Sequence, residues 1–387
     1  MRPTFRRDYV IVGAQIGAEG ATAAGELCIS RGRMVESGLR RAARIDLTGC
    51  VILPALVNAH DHLELNHYPR TRYRERYDNA HRWGEDVNAH LNDSPFRRLR
   101  AFPLWDRLFL GGLKNLLCGA LTVAQHNPPH RELFRRDFPV RVLRRYGWAH
   151  SLHFNSDAEI VKAYRRTPRN ALFFIHLAEG TDETAAGEYR RLRALGAVGA
   201  NTVLVHGIGM TPDDIADAAP RVHALVTCPT TNRYLLGRTA DLDAWQRAGG
   251  DIWLGSDSRL TADGDLLDEV TALAQPGDSP VAVLGRFRAE RSFGSTRSIS
   301  ANAAGSLIGR GDWIALRADS RPPIRRADLA LVVRGGVPQI GDSEIMGQFP
   351  ALPTVPAILD GKPKAICHAL AEQIRRCALQ ESGLTLQ

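Results

Sequence analysis

The sequence has few cysteines, and they do not follow a pattern typical of a disulfide framework or a cysteine-rich metal site. Six cysteines are spread over 387 residues without a Cys-x-x-Cys pair. In a chain of this length, such cysteines are typical of reduced thiols. A purely structural zinc site is disfavoured for the same reason, because such sites are closed by four ligands and are usually rich in cysteine.

Long apolar segments are also missing. No stretch approaches the roughly 20 uninterrupted apolar residues of a membrane-spanning helix. The basic residues 1–7 are followed by a short apolar run at 9–12 and by no small-residue cleavage site, which excludes an ordinary signal peptide. We therefore expect a cytoplasmic protein that contacts no membrane.

Lysine is scarce although the chain is basic. The formal net charge is +8, yet only four of the 50 basic residues are lysines, namely Lys114, Lys162, Lys362 and Lys364. The arginines are scattered, whereas a nucleic-acid reader usually gathers basic residues on one face with aromatic residues between them. The pattern favours a solvated surface and no nucleic-acid partner. An anionic substrate or partner stays open.

The remaining composition, 44% hydrophobic and 24% charged, is ordinary for a globular protein. The first 50 residues read as short strands separated by glycines, and a similar pattern returns at residues 329–340. Between them, short apolar runs alternate with amphipathic helical stretches. This alternation over about 250 residues is typical of a parallel (β/α) barrel.

The predicted fold is therefore α/β: a (β/α)8 TIM-like barrel over residues 54–322, with a small β-domain built from residues 1–53 and 323–350. Residues 351–387 are predicted to form a helical tail, with its helix over 365–379. Too few residues separate the apolar runs at 120–125 and 171–175 for two complete strand–helix units. Residues 140–154 are accordingly predicted as two strands joined by a turn, which would distort the barrel.

Polar residues follow the apolar runs at the points where the predicted strands end. His60 and His62 follow the first run, and His176, His206 and Asp257 follow the fifth, the sixth and the last. Positions two apart on a strand point the same way, so His60 and His62 can reach one ion. The C-terminal strand ends of a barrel form one ring where active sites are built. Imidazoles and one carboxylate gathered there suit zinc or iron(II) and leave a position open for water.

Four further polar residues follow predicted strands and are candidates for substrate contacts. They are His126, His153, Asn155 and Asn232. Helix capping or loop packing is the alternative role for each. Residues 67–90 form a long, irregular segment rich in arginine and tyrosine, a length typical of lids and binding loops. Its arginines either hold an anionic group or are simply solvated.

These stretches resemble the amidohydrolase superfamily, and within it the branch of cytosine deaminase, guanine deaminase and the triazine chlorohydrolases. The matching stretches occur in the family's order and span most of the chain: Leu53-Pro54-Ala55-Leu56-Val57-Asn58-Ala59-His60-Asp61-His62, His176-Leu177-Ala178-Glu179, Val205-His206-Gly207, Cys228-Pro229-Thr230-Thr231-Asn232 and Leu254-Gly255-Ser256-Asp257. The two flanking β segments, with Arg326-Ala327-Asp328-Leu329-Ala330-Leu331, resemble the family's split β-sandwich.

The resemblance implies one divalent metal ion, zinc with iron as the alternative, held by His60, His62, His176 and Asp257. It also implies that Glu179 shuttles protons and that His206 orients the water or the substrate and sometimes touches the metal. Binuclear relatives use a carboxylated lysine in the barrel. None of the four lysines lies at a predicted strand end, which favours a single ion.

The chain departs from the family pattern around the first metal motif. The usual Asn-Ala-His-Thr-His has Asp61 in place of threonine, and the proline–glycine that usually precedes the first run reads Pro54-Ala55. The segment between the second and fifth runs is also short. These departures leave the metal set intact and leave the substrate pocket undefined.

The predicted function is a metal-dependent hydrolase that uses a metal-activated water on a C–N bond, deaminating a nitrogen heterocycle or an amidine-like carbon. Asp257 would accept the proton of the water, Glu179 would protonate a ring nitrogen and the departing ammonia, and His206 would stabilise the developing oxygen as a donor.

Other reactions and roles stay open from the sequence alone. The same scaffold could hydrolyse a cyclic amide or a carbon–halide bond, or serve as a metal-stabilised binding protein without turnover. Glu179 and His206 favour the enzyme, since a structural site needs neither. The expected partner is a small-molecule substrate, and a homodimer is a common state of such enzymes.

Overall fold

The structure is a computed structural model that describes residues 41–279, 282 and 311–387 and, nearer the N-terminus, residues 5, 8–16, 23, 24, 26–35 and 39. Residues 280, 281 and 283–310 of the predicted barrel segment lie outside the described residues.

The strands fall into three groups along the chain. The N-terminal group is β1 (Tyr9–Val12), β2 (Gln15–Ile16), β3 (Ala23–Ala24), β4 (Leu27–Ser30), β5 (Arg33–Val35), β6 (Ala43–Asp46) and β7 (Cys50–Pro54). The central group is β8 (Leu56–Asp61), β9 (Ala120–Gln125), β10 (Arg141–Val142), β11 (Tyr146–Ser151), β12 (Leu172–Leu177), β13 (Thr202–His206), β14 (Ala224–Thr227) and β15 (Ile252–Leu254). The C-terminal group is β16 (Trp313–Arg317), β17 (Leu329–Arg334), β18 (Val337–Gly341), β19 (Thr354–Leu359), β20 (Lys362–Cys367) and β21 (Leu384–Leu386).

The central strands are parallel and carry the site. Strands β10, β9 and β8 form one sheet, and β11 to β15 form a second sheet in sequence order. Every residue of β8, β13, β14 and β15 is buried. Near-continuous apolar runs of this kind are typical of parallel strands covered on both faces. The predicted α/β class is therefore confirmed.

The two parallel sheets approach each other at both edges. On one side, the Asp257 N–H beyond β15 donates to the His60 carbonyl of β8 at 3.0 Å. On the other side, β10 and β11 follow each other with only residues 143–145 between them and pair with different neighbours. The prediction of two strands joined by a turn over residues 140–154 is confirmed.

Most of the helices lie among the central strands along the chain, and several of them begin at capping signals in the sequence. The helices are α1 (Ala80–Ala89), α2 (Phe96–Arg100), α3 (Leu104–Leu117), α4 (Asp157–Arg166), α5 (Glu183–Ala194), α6 (Pro212–Ala218), α7 (Pro229–Leu236), α8 (Leu242–Arg247), α9 (Leu266–Leu273), α10 (Ser343–Gly347) and α11 (His368–Arg376). Ser156 and Glu159 form a capping box at α4, and the Asp182 side chain accepts the Ala185 N–H at α5. Such caps satisfy N–H groups that have no partner inside the helix.

The strands near the chain ends form two sheets that face a common apolar core. One has the order β5-β4-β1-β6, and the other has the order β21-β19-β20-β18-β17-β16-β7-β2-β3. Ile11 and Ile29 of the first sheet pack with Ile52, Trp313 and Leu331 of the second. The residues 313–317, which were predicted within the barrel segment, belong instead to this larger sheet. The reason is that β16 pairs antiparallel with both β7 and β17.

The C-terminal segment differs from the predicted helical tail. Strands β19 and β20 form an antiparallel hairpin, and β21 pairs with β19 at the sheet edge. Helix α11 is shorter than the predicted helix over 365–379. Asp360 and Gly361 join the two strands with φ values of 49° and 81°. An Asp-Gly pair between alternating apolar runs is the typical signal of a two-residue hairpin turn.

None of the helices in the described part of the chain is long and apolar enough to cross a membrane. All six cysteines are described, and none of them forms a disulfide bond, as the spacing predicted.

Candidate metal centre and catalytic pocket

Five side chains from four strand ends meet in one place. His60 lies on β8, His62 follows it, His176 lies on β12, His206 ends β13, and Asp257 follows β15. One ligand atom each of His60, His62 and Asp257 lie within 4.8 Å of one another, and so do those of His60, His176 and His206. The four predicted ligands therefore converge, and His206 joins them.

The donor set fits a transition-metal ion. The Nε2 atoms of His60 and His176 are 3.2 Å apart, and Asp257 Oδ1 is 3.6 Å from His62 Nε2 and 3.9 Å from His60 Nε2. Two nitrogens bound to one zinc ion at tetrahedral angles lie about 3.3 Å apart. Buried imidazoles with a carboxylate are ligands that zinc and iron accept.

Hydrogen bonds behind two of the histidines fix which ring nitrogen faces the centre. His176 Nδ1 donates to the His150 carbonyl at 2.9 Å, and His206 Nδ1 donates to Asn232 Oδ1 at 2.8 Å. Each Nε2 is then left as a lone-pair donor toward the centre. Groups of this kind set the tautomer of metal-binding histidines. A His206 Nε2 without a proton does not fit the donor role predicted from the sequence.

His60 is oriented by His126 rather than by a carbonyl. His126 Nε2 donates to the Ala149 carbonyl at 2.9 Å, which leaves His126 Nδ1 as an acceptor 3.2 Å from His60 Nδ1. The His60 Nδ1–H can therefore donate to His126, and its Nε2 is free for an ion. Burial is the main cause that holds the pKa of both rings well below the usual value, so both are neutral.

Backbone strain is concentrated at this centre. Ala178, His206 and Asp257 have φ values of 52°, 78° and 54°, in the left-handed region that residues other than glycine rarely adopt. Ala178 lies between His176 and Glu179 and redirects the chain after β12. Strained residues that cluster in this way are typical of functional sites.

Glu179 lies beside the centre in a buried environment close to other carboxyl groups. Its Oε1 is 3.5 Å from His206 Nε2. Burial, followed by the negative charges of Asp257 and Glu188, raises the pKa of Glu179 well above its usual value. A carboxyl group whose pKa is raised in this way is suited to act as a general acid.

A cavity of about 590 Å³ opens onto these groups. Its metal end is lined by His62, His176, Glu179, His206 and Asp257. The remaining wall is formed by Leu65, Tyr68, Ala80, His81, Trp83, Gly84, Val87, Asn88, Leu91, Phe96, Arg100, Arg107, Asn127, His150, Ser151, Phe154, Leu235, Ser258, Leu260 and Thr261. Many of them come from α1 and the adjoining segments, as the length of the predicted loop at 67–90 suggested.

The four residues predicted to contact the substrate are not among those that line the cavity. His126 lies behind His60, and Asn232 lies behind His206. The Asn155 side chain accepts the His150 N–H at 2.7 Å, and His153 Nε2 lies 3.0 Å from Glu85. The physical reason for the last two is that β11 ends at Ser151, so both lie in the turn beyond the strand. Direct contact with the substrate therefore stays a prediction for these four residues, while His150 lines the cavity.

Sequence comparison gives a strong but local relationship. No family model matches the chain. The chain is 43% identical over 96 residues to an aminodeoxyfutalosine deaminase of Deinococcus radiodurans. The aligned region spans 24% of this chain and 22% of that relative.

Solved structures match over most of the chain. A zinc-bound adenosine deaminase from Xanthomonas campestris has a TM-score of 0.64 at 16% identity and covers 87% of this chain and 94% of that one. A zinc complex of atrazine chlorohydrolase from Arthrobacter aurescens has a TM-score of 0.60 at 16% identity, with 85% and 94% covered. The aminofutalosine deaminase of Helicobacter pylori, in complex with methylthio-coformycin, has a TM-score of 0.54 at 15% identity, with 85% and 99% covered.

These similarities define the fold. The chain shares the fold of a zinc-bound adenosine deaminase and of atrazine chlorohydrolase, in agreement with the resemblance that the sequence motifs predicted. Deaminases stand among both the sequence relatives and the structural neighbours.

Proposed function

We propose that this protein is a metal-dependent deaminase that hydrolyses the C–N bond of an amino-substituted nitrogen heterocycle. The observation that carries the proposal is the convergence of His60, His62, His176 and Asp257 at the end of a large cavity, with Glu179 beside them. The zinc in two of the structural neighbours supports zinc as the metal, with iron as the alternative.

We propose a single ion. In binuclear relatives of the superfamily a lysine bridges the metals. Here Lys114 is fully buried, and its amino group is held by Asp61 at 3.0 Å and by the Asp257 carbonyl at 3.1 Å. It is not among the cavity-lining residues. No other lysine lies near the site in the described part of the chain.

The proposed chemistry divides between the ion and the protein. When bound, the ion acts as a Lewis acid that makes a coordinated water acidic near neutral pH. Protonated Glu179 donates its proton to the ring nitrogen beside the reacting carbon, which makes that carbon more electrophilic. The water oxygen would bond to that carbon while Asp257 accepts its first proton. The Glu179 carboxylate would then take the second proton from the hydroxyl group on the carbon and pass it to the amino group, which leaves as ammonia when the C–N bond breaks. Transfer of the Asp257 proton to Glu179 would restore both groups. General acid–base catalysis of this kind contributes about 10²–10⁴ in rate.

His206 and Asp257 have supporting roles in this proposal. His206 Nε2, as a lone-pair donor 3.5 Å from Glu179, either completes the metal site or accepts a proton from the substrate side. Asp257 Oδ1 accepts the Ser258 N–H at 2.8 Å, and its Oδ2 accepts the Thr261 hydroxyl at 3.3 Å. These bonds hold the carboxylate beside the histidines. The oxygen not bound to the ion would accept the proton of the water.

The names of the relatives suggest the first compounds to test. Adenosine and aminodeoxyfutalosine follow from the deaminases that this chain is similar to. The atrazine chlorohydrolase neighbour keeps hydrolysis of a carbon–halide bond as a second candidate.

The test measures products released by the zinc-loaded protein. Ammonia release from adenosine, aminodeoxyfutalosine, guanine and cytosine supports deamination, whereas chloride release from atrazine without ammonia supports the alternative.

Glu179→Gln should lower kcat about 10²–10⁴-fold at unchanged zinc content. The matched control is Glu183→Gln, an exposed carboxyl at the start of α5, which should change neither. An inert wild type with a full complement of zinc would favour a binding protein.

We also propose that the eight parallel strands form one distorted barrel and that the two remaining sheets form the split β-sandwich. The hydrogen bond between Asp257 and His60 across the gap between the sheets supports the first statement. The shared core of Ile11, Ile52 and Trp313 supports the second. The domain boundaries, the cytoplasmic location and the homodimer stay predictions.

A further inference from the structure

The turn that carries Glu179 is strained at the residue just before it. Strand β12 ends at Leu177, and Ala178 then adopts a φ of 52°, in the left-handed region. An alanine in this region has its Cβ too close to the following carbonyl oxygen, so the conformation persists only where neighbouring groups hold it. His176 lies before Ala178 and Glu179 lies after it. The conformation of Ala178 therefore sets the direction of Glu179 relative to the metal ligand.

Backbone hydrogen bonds hold two sides of this turn. The Gly209 N–H donates to the Ala178 carbonyl at 2.8 Å. The Ala80 N–H, at the start of α1, donates to the Glu179 carbonyl at 2.9 Å. Both bonds join main-chain groups, so neither depends on the identity of a side chain.

The Ala178 N–H is bound by a buried carboxyl group instead. Glu188, in the middle of α5, accepts it through Oε2 at 2.6 Å. The Glu188 side chain is only 5% exposed, and its Oε1 lies 3.4 Å from His81 Nε2. His81 belongs to α1 and lines the cavity. Glu188 thus joins the strained turn to the wall of the cavity.

Glu188 is an exception among the buried residues of its helix. The others are Ala185, Tyr189 and Leu192, and the last two belong to an apolar core. No lysine or arginine lies within 4.0 Å of the Glu188 carboxyl in the described part of the chain. Burial of a carboxyl group without such a partner is costly, whereas an apolar side chain would be buried there without that cost. The Ala178 N–H explains why this position carries an acceptor.

We propose that Glu188 is a positioning residue for Glu179. By accepting the Ala178 N–H, it holds the left-handed turn that places the Glu179 carboxyl beside the metal centre. On the proposed function, on which this inference rests, Glu179 transfers the protons of the reaction. Glu188 is neither a cavity-lining residue nor a candidate metal ligand, so its effect passes through the backbone of Ala178.

The metal ligand of this strand is held by other contacts. His176 pairs with Val205 of β13, and its Nδ1 donates to the His150 carbonyl at 2.9 Å. Neither contact involves the turn beyond Leu177. Loss of the Glu188 hydrogen bond should therefore displace Glu179 and leave the zinc content unchanged.

The experiment compares two substitutions of nearly the same size. Glu188→Met fills the space without an acceptor for the Ala178 N–H, whereas Glu188→Gln keeps an acceptor oxygen. Both remove the negative charge, so their difference isolates the hydrogen bond. A double variant combines Glu188→Met with Ala178→Gly, because glycine adopts the left-handed conformation without a steric penalty. Tyr189→Phe, which removes a hydrogen bond of 2.6 Å to Asp217 from the same helix, is the matched control.

The first measurement needs no substrate and consists of crystal structures of the zinc-loaded proteins. In Glu188→Met, residue 178 should leave the left-handed region, and Glu179 Oε1 should no longer lie near its distance of 3.5 Å from His206 Nε2. Glu188→Gln, the double variant and Tyr189→Phe should keep the turn and the position of Glu179. All four should bind as much zinc as the wild type.

The second measurement is the kinetics on a substrate that the wild type deaminates. Misplacement of a reacting group by about 1 Å can cost about 10²-fold, and we expect a fall of that size in kcat for Glu188→Met. KM should stay the same, because Glu179 acts in the chemical step rather than in binding. Glu188→Gln and the double variant should keep most of the wild-type kcat. A variant that merely loosened the fold would not be rescued by a glycine at residue 178.

A left-handed residue 178 with Glu179 in place in Glu188→Met would overturn the inference, and so would an equal disturbance in Glu188→Gln. Loss of zinc from Glu188→Met, or failure of both methionine variants to fold, would also overturn it, since Glu188 would then support the ligands or the fold. Folding of the double variant alone would support it. Absence of ammonia release from the wild type is a failure of the proposed function only, because the crystal structures still show whether Glu188 holds the turn.

Discussion

Lys114 Nζ lies 3.0 Å from Asp61 Oδ2, and both side chains are completely buried on the side of β8 away from the cavity. Asp61 lies between His60 and His62 in sequence, and side chains alternate along a strand, so it points the opposite way. Its carboxylate also accepts the side-chain amides of Asn115 at 2.7 Å and Asn66 at 2.9 Å. The residue that departs from the family motif is therefore a structural anchor beneath the metal ligands.

The same ammonium group connects two ligand-bearing segments. Lys114 donates to the Asp257 carbonyl at 3.1 Å and to the Ser256 hydroxyl at 3.0 Å, while it pairs with Asp61 on β8. It thus joins the strand that carries His60 to the segment that carries Asp257. A buried ion pair with its hydrogen bonds satisfied fixes geometry, and removal of one partner leaves a charge uncompensated.

We expect Lys114→Met to destabilise the fold by about 3–5 kcal/mol, because Asp61 is left buried without its counter-charge. The variant should also bind zinc more weakly, since His60 and Asp257 lose their common anchor. Urea unfolding of the metal-free protein and competition with a zinc chelator measure the two effects. Lys162→Met, at an exposed position on α4, is the control. An unfolding midpoint like that of the wild type would contradict the proposed anchor.

The metal centre could be predicted from the sequence because it follows from strand ends. His60, His62, His176 and Asp257 each come at or just after an apolar run, and parallel strands bring those ends to one edge. Their convergence needs no knowledge of side-chain packing. The hydrogen bonds behind them do need it, and for this reason His126 and Asn232 were expected in the cavity rather than behind the ligands.

The wall of the cavity could not be predicted in the same way. Tyr68 lies on an irregular segment, Arg100 ends the short helix α2, and Arg107 lies near the start of α3, all between β8 and β9. Their direction depends on how those segments pack over the strands, and no periodicity encodes it. The C-terminal hairpin is a different case, because Asp360-Gly361 between two apolar runs was a readable signal that the helical pattern nearby obscured.

His126 provides a test of the orientation of the metal ligands. Its Nδ1 is the acceptor for the His60 Nδ1–H, at 3.2 Å. In His126→Phe the ring shape is kept, but the acceptor is lost and His60 is left with an unpaired N–H. Loss of such a partner typically costs 10–100-fold in metal affinity, and we expect a zinc Kd raised by that factor.

The matched control is His153→Phe, which removes a partly exposed ring that pairs with Glu85 and does not line the cavity. Zinc affinity and KM should both be unchanged in this variant. A change of KM in His153→Phe would support the sequence-based prediction that this residue contacts the substrate. Equal zinc affinity of His126→Phe and the wild type would remove His126 from the metal site.

Glu269 on α9 is a buried carboxyl group that joins α9 to α7. It accepts the Thr230 N–H at 2.9 Å and also the Thr230 hydroxyl. Burial is the main cause that raises its pKa from 4.5 to about 8, against the lowering effect of the two Thr230 hydrogen bonds. The folded protein therefore holds this proton through a pH range in which the unfolded chain has lost it.

Stability should fall with rising pH because of this group. The folded pKa of about 8 lies above the unfolded value of 4.5, so the contribution is complete below pH 4.5 and is lost as the pH rises to 8. One proton accounts for at most about 1.4 kcal/mol per pH unit. Glu269→Gln cannot lose a proton, and its amide can still pair with Thr230. Between pH 5.5 and 8.5, urea unfolding should therefore show a flatter stability profile for the variant than for the wild type.

Glu372→Gln is the control, since the neighbouring Arg375 holds the pKa of that exposed carboxyl below its usual value and outside the window. Parallel profiles for Glu269→Gln and the wild type would mean that Glu269 is ionised in the folded protein across this range.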